Sequence, residues 1–176
     1  GANPRPISEI FCSYSYVAQA RSSLPDPVGG VLWFGPAVAY ETVYAPIYAG
    51  STNVSAAYAT GDRSTYDSST AYWTFDLVTN WAMLRYDAMI EEITEKQGEL
   101  EAGSIALVQE TDRKAADLIV AGDDEGAARL LTDFTVTRGD EIIEEWHGLT
   151  GTLIVTYSNG LITDPATEAV EEPGYP

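Results

Sequence analysis

The spacing of apolar and polar residues changes along this chain. From Ile7 to Gln19 it alternates, as in a strand with two distinct faces. Phe11, Ser13, Ser15, Val17, Gln19 and Arg21 share one face, which is mixed and polar. Cys12, Tyr14, Tyr16, Ala18 and Ala20 share the other, which is apolar and aromatic and therefore suits helices packed against it. Arg21 to Pro27 is a turn carrying two prolines. Two further runs follow, Val31-Leu32-Trp33-Phe34 and Val43-Tyr44-Ala45-Pro46-Ile47-Tyr48. Breakers bound them at Gly29-Gly30, Gly35-Pro36 and Gly50. β-Branched and aromatic residues between such breakers predict strands. Pro46 has no N–H to give, so the last strand is expected at an edge or bulged there. Three strands with short connections predict an antiparallel meander.

After Gly50 the period lengthens. Ser51 to Ser68 reads as a long polar loop, and loops of that length are usually functional. Ser68-Ser69-Thr70 signals a helix start. In the helix that follows, through Ile90, Trp73, Leu77, Trp81, Leu84 and Ala88 form one stripe. Phe75, Val78 and Ala82 form another. Apolar side chains nearly all round predict a helix buried on both sides, between the sheet and an outer helical layer. Glu91 to Leu100 is a solvated helix interrupted by Gly98, restarting near Gly103-Ser104 with Ile105, Val108, Ala115 or Ala116 and Ile119 inward. Ala121-Gly122 is a stop, and Asp123-Asp124 favours the start of the next helix. That helix carries Ala127, Leu130, Leu131, Phe134, Ile142, Ile143 and Trp146, with Gly139 as a weak point. Leu153-Ile154-Val155 fits either a strand or a continued helix. The expected organisation is one domain over residues 1–176. Residues 1–50 are β-rich, 51–68 a loop, 69–162 mainly helical and 163–176 a loose tail. The fold class is α+β: a short antiparallel sheet of about three strands, covered on one face by three or four α-helices.

The formal net charge of −18 adds a constraint. Up to Tyr66 there are four acids and three bases; from Asp67 onward there are 23 acids and six bases. The charge therefore sits on the helices, as a solvated outer layer. An acidic face for a basic partner is the sharper alternative. A polyanion is a poor partner for nucleic acid or an anionic membrane, and neither is expected here. No apolar run is long enough to span a bilayer. Gly1 to Pro6 lacks the layout of a signal peptide. The expected compartment is the cytoplasm, or outside the cell if a leader lies upstream.

Candidate chemistry is sparse. Cys12 is the single cysteine, which excludes an internal disulfide and any multi-cysteine metal site. As a nucleophile it would need a base, and His147, the one histidine, lies far along in a helix. A free cysteine on an aromatic strand face is ordinarily a small packing residue. His147 with Glu144 and Glu145 is a weak metal pattern, and Glu91, Glu92 and Glu95 read as a charged helix face. No cofactor or metal is expected. Asn53-Val54-Ser55 fits the glycosylation pattern, a very common match. On residues alone there is no complete catalytic site.

The order of landmarks resembles peptidase family C69, the dipeptidase A-like and secernin-like proteins. These landmarks are Arg5-Pro6-Ile7-Ser8, Gln19-Ala20-Arg21, Leu24-Pro25, Gly30 to Gly35, Val43 to Gly50, Tyr58-Ala59-Thr60-Gly61, Asp67-Ser68, Ala71 to Phe75 and Leu84-Arg85-Tyr86. The resemblance implies one half of a four-layer αββα sandwich of the N-terminal nucleophile hydrolases. It implies hydrolysis of dipeptides or short amides by an N-terminal cysteine whose α-amino group is the base. The landmarks match the C-terminal half of that pattern. Cys12 falls inside it without a free amino group, so no catalytic residue is expected in this chain. Where the family tends to have Ser-His, this chain has Ser15-Tyr16. The implied partners are a small peptide substrate and the N-terminal half of the same protein. The mixed face bearing Ser13, Ser15 and Gln19 is the expected cleft side, open or covered by a second copy. The alternative is a non-catalytic, secernin-like or acidic protein-interaction module.

Overall fold

A computed structural model describes residues 8–171. It is α+β, with a three-stranded antiparallel sheet in the order β1-β2-β3. These strands are β1 (Tyr14–Ala20), β2 (Gly30–Pro36) and β3 (Ala45–Tyr48). One turn of helix, α1 (Asp26–Gly29), joins β1 to β2, started by the fixed backbone of Pro25 and Pro27. β3 is an edge strand, and Pro46 lies between two outward-pointing N–H groups. The N–H of Tyr44 donates to Glu101 at 3.2 Å and that of Tyr48 to Thr135 at 3.3 Å. The proline therefore costs the ladder nothing, and helical side chains cover the edge. Val43 and Tyr44 lie outside the strand, and alternation before Tyr14 does not become ladder. Residues 1–7, with the start of that alternation and Arg5-Pro6, lie outside the described residues.

The stretch predicted as loop holds a second turn of helix, α2 (Ala56–Ala59), capped by the Ser55 side chain on the Ala57 N–H. α3 (Ala71–Ala82) starts where predicted and ends eight residues sooner than Ile90. Its buried stripe is Thr74, Phe75, Val78, Thr79 and Ala82; Trp73, Leu77 and Trp81 are half-buried, and Leu84 is exposed. So this segment is buried on one side, not two. Two long helices follow, α4 (Tyr86–Val120) of 35 residues and α5 (Asp124–Tyr157) of 34. Gly122 sits between them at φ 82°, and the Asp123 carboxylate caps α5 by accepting from the Gly126 N–H at 2.8 Å.

The expected interruption between Gly98 and Gly103 does not occur, and the helix runs unbroken through the weak point at Gly139. Each helix carries a buried stripe at spacings of three and four, and the partner helix fixes it in place. Cross-helix bonds add to this packing. Buried Arg138 donates to Ser104 Oγ at 2.9 Å and the Leu100 carbonyl at 2.8 Å. Lys96 bonds Glu145 at 2.7 Å, and the Tyr157 hydroxyl bonds Glu92 at 2.5 Å. Packing outweighs the cost of about 1 kcal/mol that a glycine brings to a helix interior. Gly139 has its own reason. A Cβ there would lie 2.8 Å from the Ser55 side chain, so its absence lets α2 settle on α5. Leu153-Ile154-Val155 continues α5. Ile105, predicted inward, is exposed, whereas Val108 and Ala115 are buried. The tail begins as a small ribbon, β4 (Ile162–Thr163) with β5 (Val170–Glu171), rather than loose chain; residues 172–176 lie outside the described residues.

Two apolar cores flank the sheet. Val31 and Tyr48 join Val28, Val108, Ala115 and Leu131 in the smaller one. Val43 and Ala45 join Phe75, Met89, Ile93, Ile142, Trp146 and Leu153 in the larger one, where Phe75 stacks on Trp146 at 4.8 Å.

Candidate functional site

The register gives the sheet two unlike faces. On one, Gln19 lies beside Val31 and Tyr48, and Val17 beside Trp33 and Pro46. On the other, Ala18 lies beside Leu32 and Ile47, and Tyr16 beside Phe34 and Ala45. The first face looks at α4. The Tyr48 hydroxyl donates to Asp112 Oδ1 at 2.8 Å, with the Val108 carbonyl 3.1 Å away. Asp112 Oδ2 takes the Arg21 guanidinium, whose other N–H groups reach the Val28 carbonyl at 2.6 Å and the Gly29 carbonyl at 3.3 Å. Burial, and then the Asp112 contact, pushes the Tyr48 phenol far above its ordinary range. This network ties β1, α1, β3 and α4 together.

Between β1 and α4 remains an open groove of about 510 Å³, whose walls include Gln19, Arg21, Trp33, Tyr44, Glu101 and Ile105. Trp33 Nε1 donates to Gln19 Oε1 at 3.1 Å, and Ser15 Oγ shares a hydrogen bond with the Tyr44 hydroxyl at 2.7 Å. Burial raises the Glu101 carboxyl, opposed by its bond from the Tyr44 N–H.

The second face is covered only where α2 and α3 reach Phe34. Tyr14 stacks on Phe34 at 5.7 Å, and Tyr58 meets Phe34 edge-on at 6.4 Å. These rings, with Tyr72, Ser13 and Arg63, bound a cleft of about 240 Å³. Ser13, Arg63 and Tyr72 also line a second cleft of about 380 Å³, which reaches Cys12, Asp76 and Asn80. Beyond Phe34 this face is bare: Tyr16 is 59 % exposed, and Leu32 and Ile47 are only half-buried.

Both faces are partly open. On the face with Ser15, Val17 and Gln19, Val31 and Tyr48 are buried under α4, whereas Val17 is 57 % exposed and Gln19 and half-buried Trp33 line the groove. On the other face Tyr14 and Tyr16 are exposed as well, so the helices do not cover the aromatic side of β1. The three residues expected in one cleft are not together. Gln19 lines the groove by α4, Ser15 is tied to Tyr44, and Ser13 lines the two aromatic-side clefts.

Cys12 is half-buried before β1; its N–H donates to the Glu9 carbonyl at 2.8 Å, and its Sγ lies 3.4 Å from the Glu9 nitrogen. Its nitrogen is a bonded peptide amide and cannot act as an amine base. His147 Nε2 lies 2.8 Å from the Ser68 carbonyl and 3.0 Å from Thr74 Oγ1, so it pins the loop before α3 to α5. Glu145 and Glu92 are held in helix–helix bonds. Among the described residues, no three or more His, Cys, Asp and Glu side chains gather as metal ligands. Nor is any helix among them long and apolar enough to cross a membrane. Sequence reasoning missed Tyr58, Arg63 and Tyr72. For Tyr58 and Arg63 the available signal was an aromatic and a basic residue inside an otherwise small and polar loop; Tyr72 lies in α3.

Residues 2–99 match peptidase family C69. The chain belongs to peptidase family C69. The matched stretch spans the whole three-stranded sheet, α2 and α3, and so both walls of the aromatic clefts. No curated protein matches the chain. The C69 assignment supports a peptidase-type function.

Proposed function

We propose that this chain is the substrate-cleft half of a C69 dipeptidase. In this reading the enzyme cleaves dipeptides or other short amides with an N-terminal cysteine carried outside these residues. That cysteine's thiol attacks the substrate carbonyl, its own α-amino group takes the proton, and water releases the acyl group. One observation carries the reading. β2 reads Val31-Leu32-Trp33-Phe34, an unbroken apolar run of the kind found in strands covered on both faces. Here Val31 is buried under α4, whereas Leu32 and Phe34 on the opposite face, and Trp33 beside the groove, are only half-buried. A second sheet laid on Tyr16, Leu32 and Ile47 would give the layered sandwich that the family resemblance implies.

The purified chain, incubated with a panel of dipeptides, is expected to release no amino acids. Hydrolysis is expected when the C69 polypeptide bearing the N-terminal cysteine is added. Hydrolysis by the chain alone contradicts the reading, whether or not it survives Cys12→Ala. Stable association of the two polypeptides without hydrolysis of any amide would support the interaction module instead.

A further inference from the structure

We infer that the aromatic cleft at the Phe34 end of the second sheet face is a subsite for the C-terminal residue of a peptide, with its side chain among the rings and its carboxylate on Arg63. This rests on the dipeptidase reading and goes beyond it in naming the substrate's chemistry. Tyr14, Phe34, Tyr58 and Tyr72 supply the walls. Tyr14 and Phe34 are stacked, and Tyr58 stands edge-on to Phe34, so the pocket is shaped without a ligand. A volume of about 240 Å³ suits one large side chain rather than a long peptide.

Charge selects the end of the peptide. Two charged residues line the cleft, Arg63 and Asp62. Among the described residues the Arg63 guanidinium is within hydrogen-bond or salt-bridge distance of no carboxylate; its charge is felt at Asp76 across the adjoining cleft. The neighbouring acids are otherwise engaged. Asp62 accepts from the Ser64 N–H at 2.8 Å and the Ser64 hydroxyl at 2.5 Å, and Asp76 accepts from Asn80 at 3.1 Å. Burial raises the Asp76 carboxyl, and the positive charge of Arg63 acts against that rise. Arg63 thus keeps its donors for a carboxylate, which a guanidinium can bind through two N–H groups. A residue's carboxylate and side chain share one Cα, so a carboxylate on Arg63 places that residue's side chain in the same cleft. Arg63 also lines the adjoining cleft with Ser13, Asp76 and Asn80, which leaves room there for the rest of a dipeptide.

Calorimetric titration of the purified chain with Ala-Phe, Ala-Phe amide and Ala-Ala tests this. Ala-Phe is expected to bind about tenfold more tightly than the amide, the effect of one charge-assisted contact. It should also bind more tightly than Ala-Ala. Arg63→Gln, at an exposed position, should remove the preference for acid over amide and keep that for Phe over Ala. Tyr14→Ser should do the reverse. Equal binding of acid and amide, an unchanged preference in Arg63→Gln, or no binding of any dipeptide would overturn the subsite. Hydrolysis by the assembled enzyme that ignores the terminal carboxylate would overturn the subsite and leave the peptidase reading standing.

Discussion

The two faces of one small sheet have had different fates. Val31 and Leu32 are neighbours in β2, yet Val31 is 2 % exposed under α4 while Leu32 is only half-buried on the far side. On one face, Tyr48 brings a hydroxyl into the core, where it donates to Asp112, and Arg21 in turn holds the Asp112 carboxylate. A buried polar network of this kind fixes one arrangement of strands and helix, because each member left alone would cost more than its bond contributes. The opposite face has comparable apolar side chains and no network. In the function proposed above, this is the face on which the layer carrying the nucleophile would lie.

The largest break in this comparison comes from Tyr48→Ala. Removing a fully buried aromatic should cost about 3–5 kcal/mol in chemical denaturation. A cost below about 1 kcal/mol would mean that the face under α4 is not a core. Tyr48→Phe separates the network from the ring. It strands Asp112 Oδ1 and should cost about 1–3 kcal/mol.

A pH experiment probes the connection between β2 and β3. Glu41 is 1 % exposed, with Oε2 unpartnered, and its burial raises its carboxyl above the ordinary range, partly opposed by Thr79. As pH rises past the ordinary carboxylate range, the unfolded chain loses this proton while the folded chain still holds it. The folded state then binds more protons, so this group's contribution to stability falls with rising pH. Glu41→Gln stays neutral. It should therefore be more stable than the parent at neutral pH, and the gap should close as pH falls to about 4. A gap that widens toward acid would reverse the sign and refute the assignment. A smaller effect than at Tyr48 is expected on the opposite face: Leu32→Ser or Ile47→Ser, at half-buried positions, should cost about 1 kcal/mol.

Much of this was readable in the residues. Gly29-Gly30, Gly35-Pro36 and Gly50 bracket real strands, Pro46 marks a real edge, and Gly122 with Asp123 marks the turn between the long helices. What failed was decided by partners distant in sequence. Gly98 looked like a helix break and Gly139 like a weak point because a local rule cannot see Arg138 bonded to Ser104 or α2 resting on Gly139. The exposure of Tyr14 and Tyr16 was not legible in the alternation of β1, because it depends on how far α2 and α3 reach across the sheet. The clefts were hidden in the sequence because Tyr14, Phe34, Tyr58, Arg63 and Tyr72 are scattered over two strands, a loop and two helices.

The most direct test is thiol labelling of Val31→Cys and Leu32→Cys, each in a Cys12→Ala background, with a maleimide under native conditions. The account predicts rapid labelling at position 32, slow labelling at position 31, and protection of position 32 when the nucleophile-bearing polypeptide is added. Slow labelling at position 32 in the dilute chain alone, or equal rates at both positions, would contradict it.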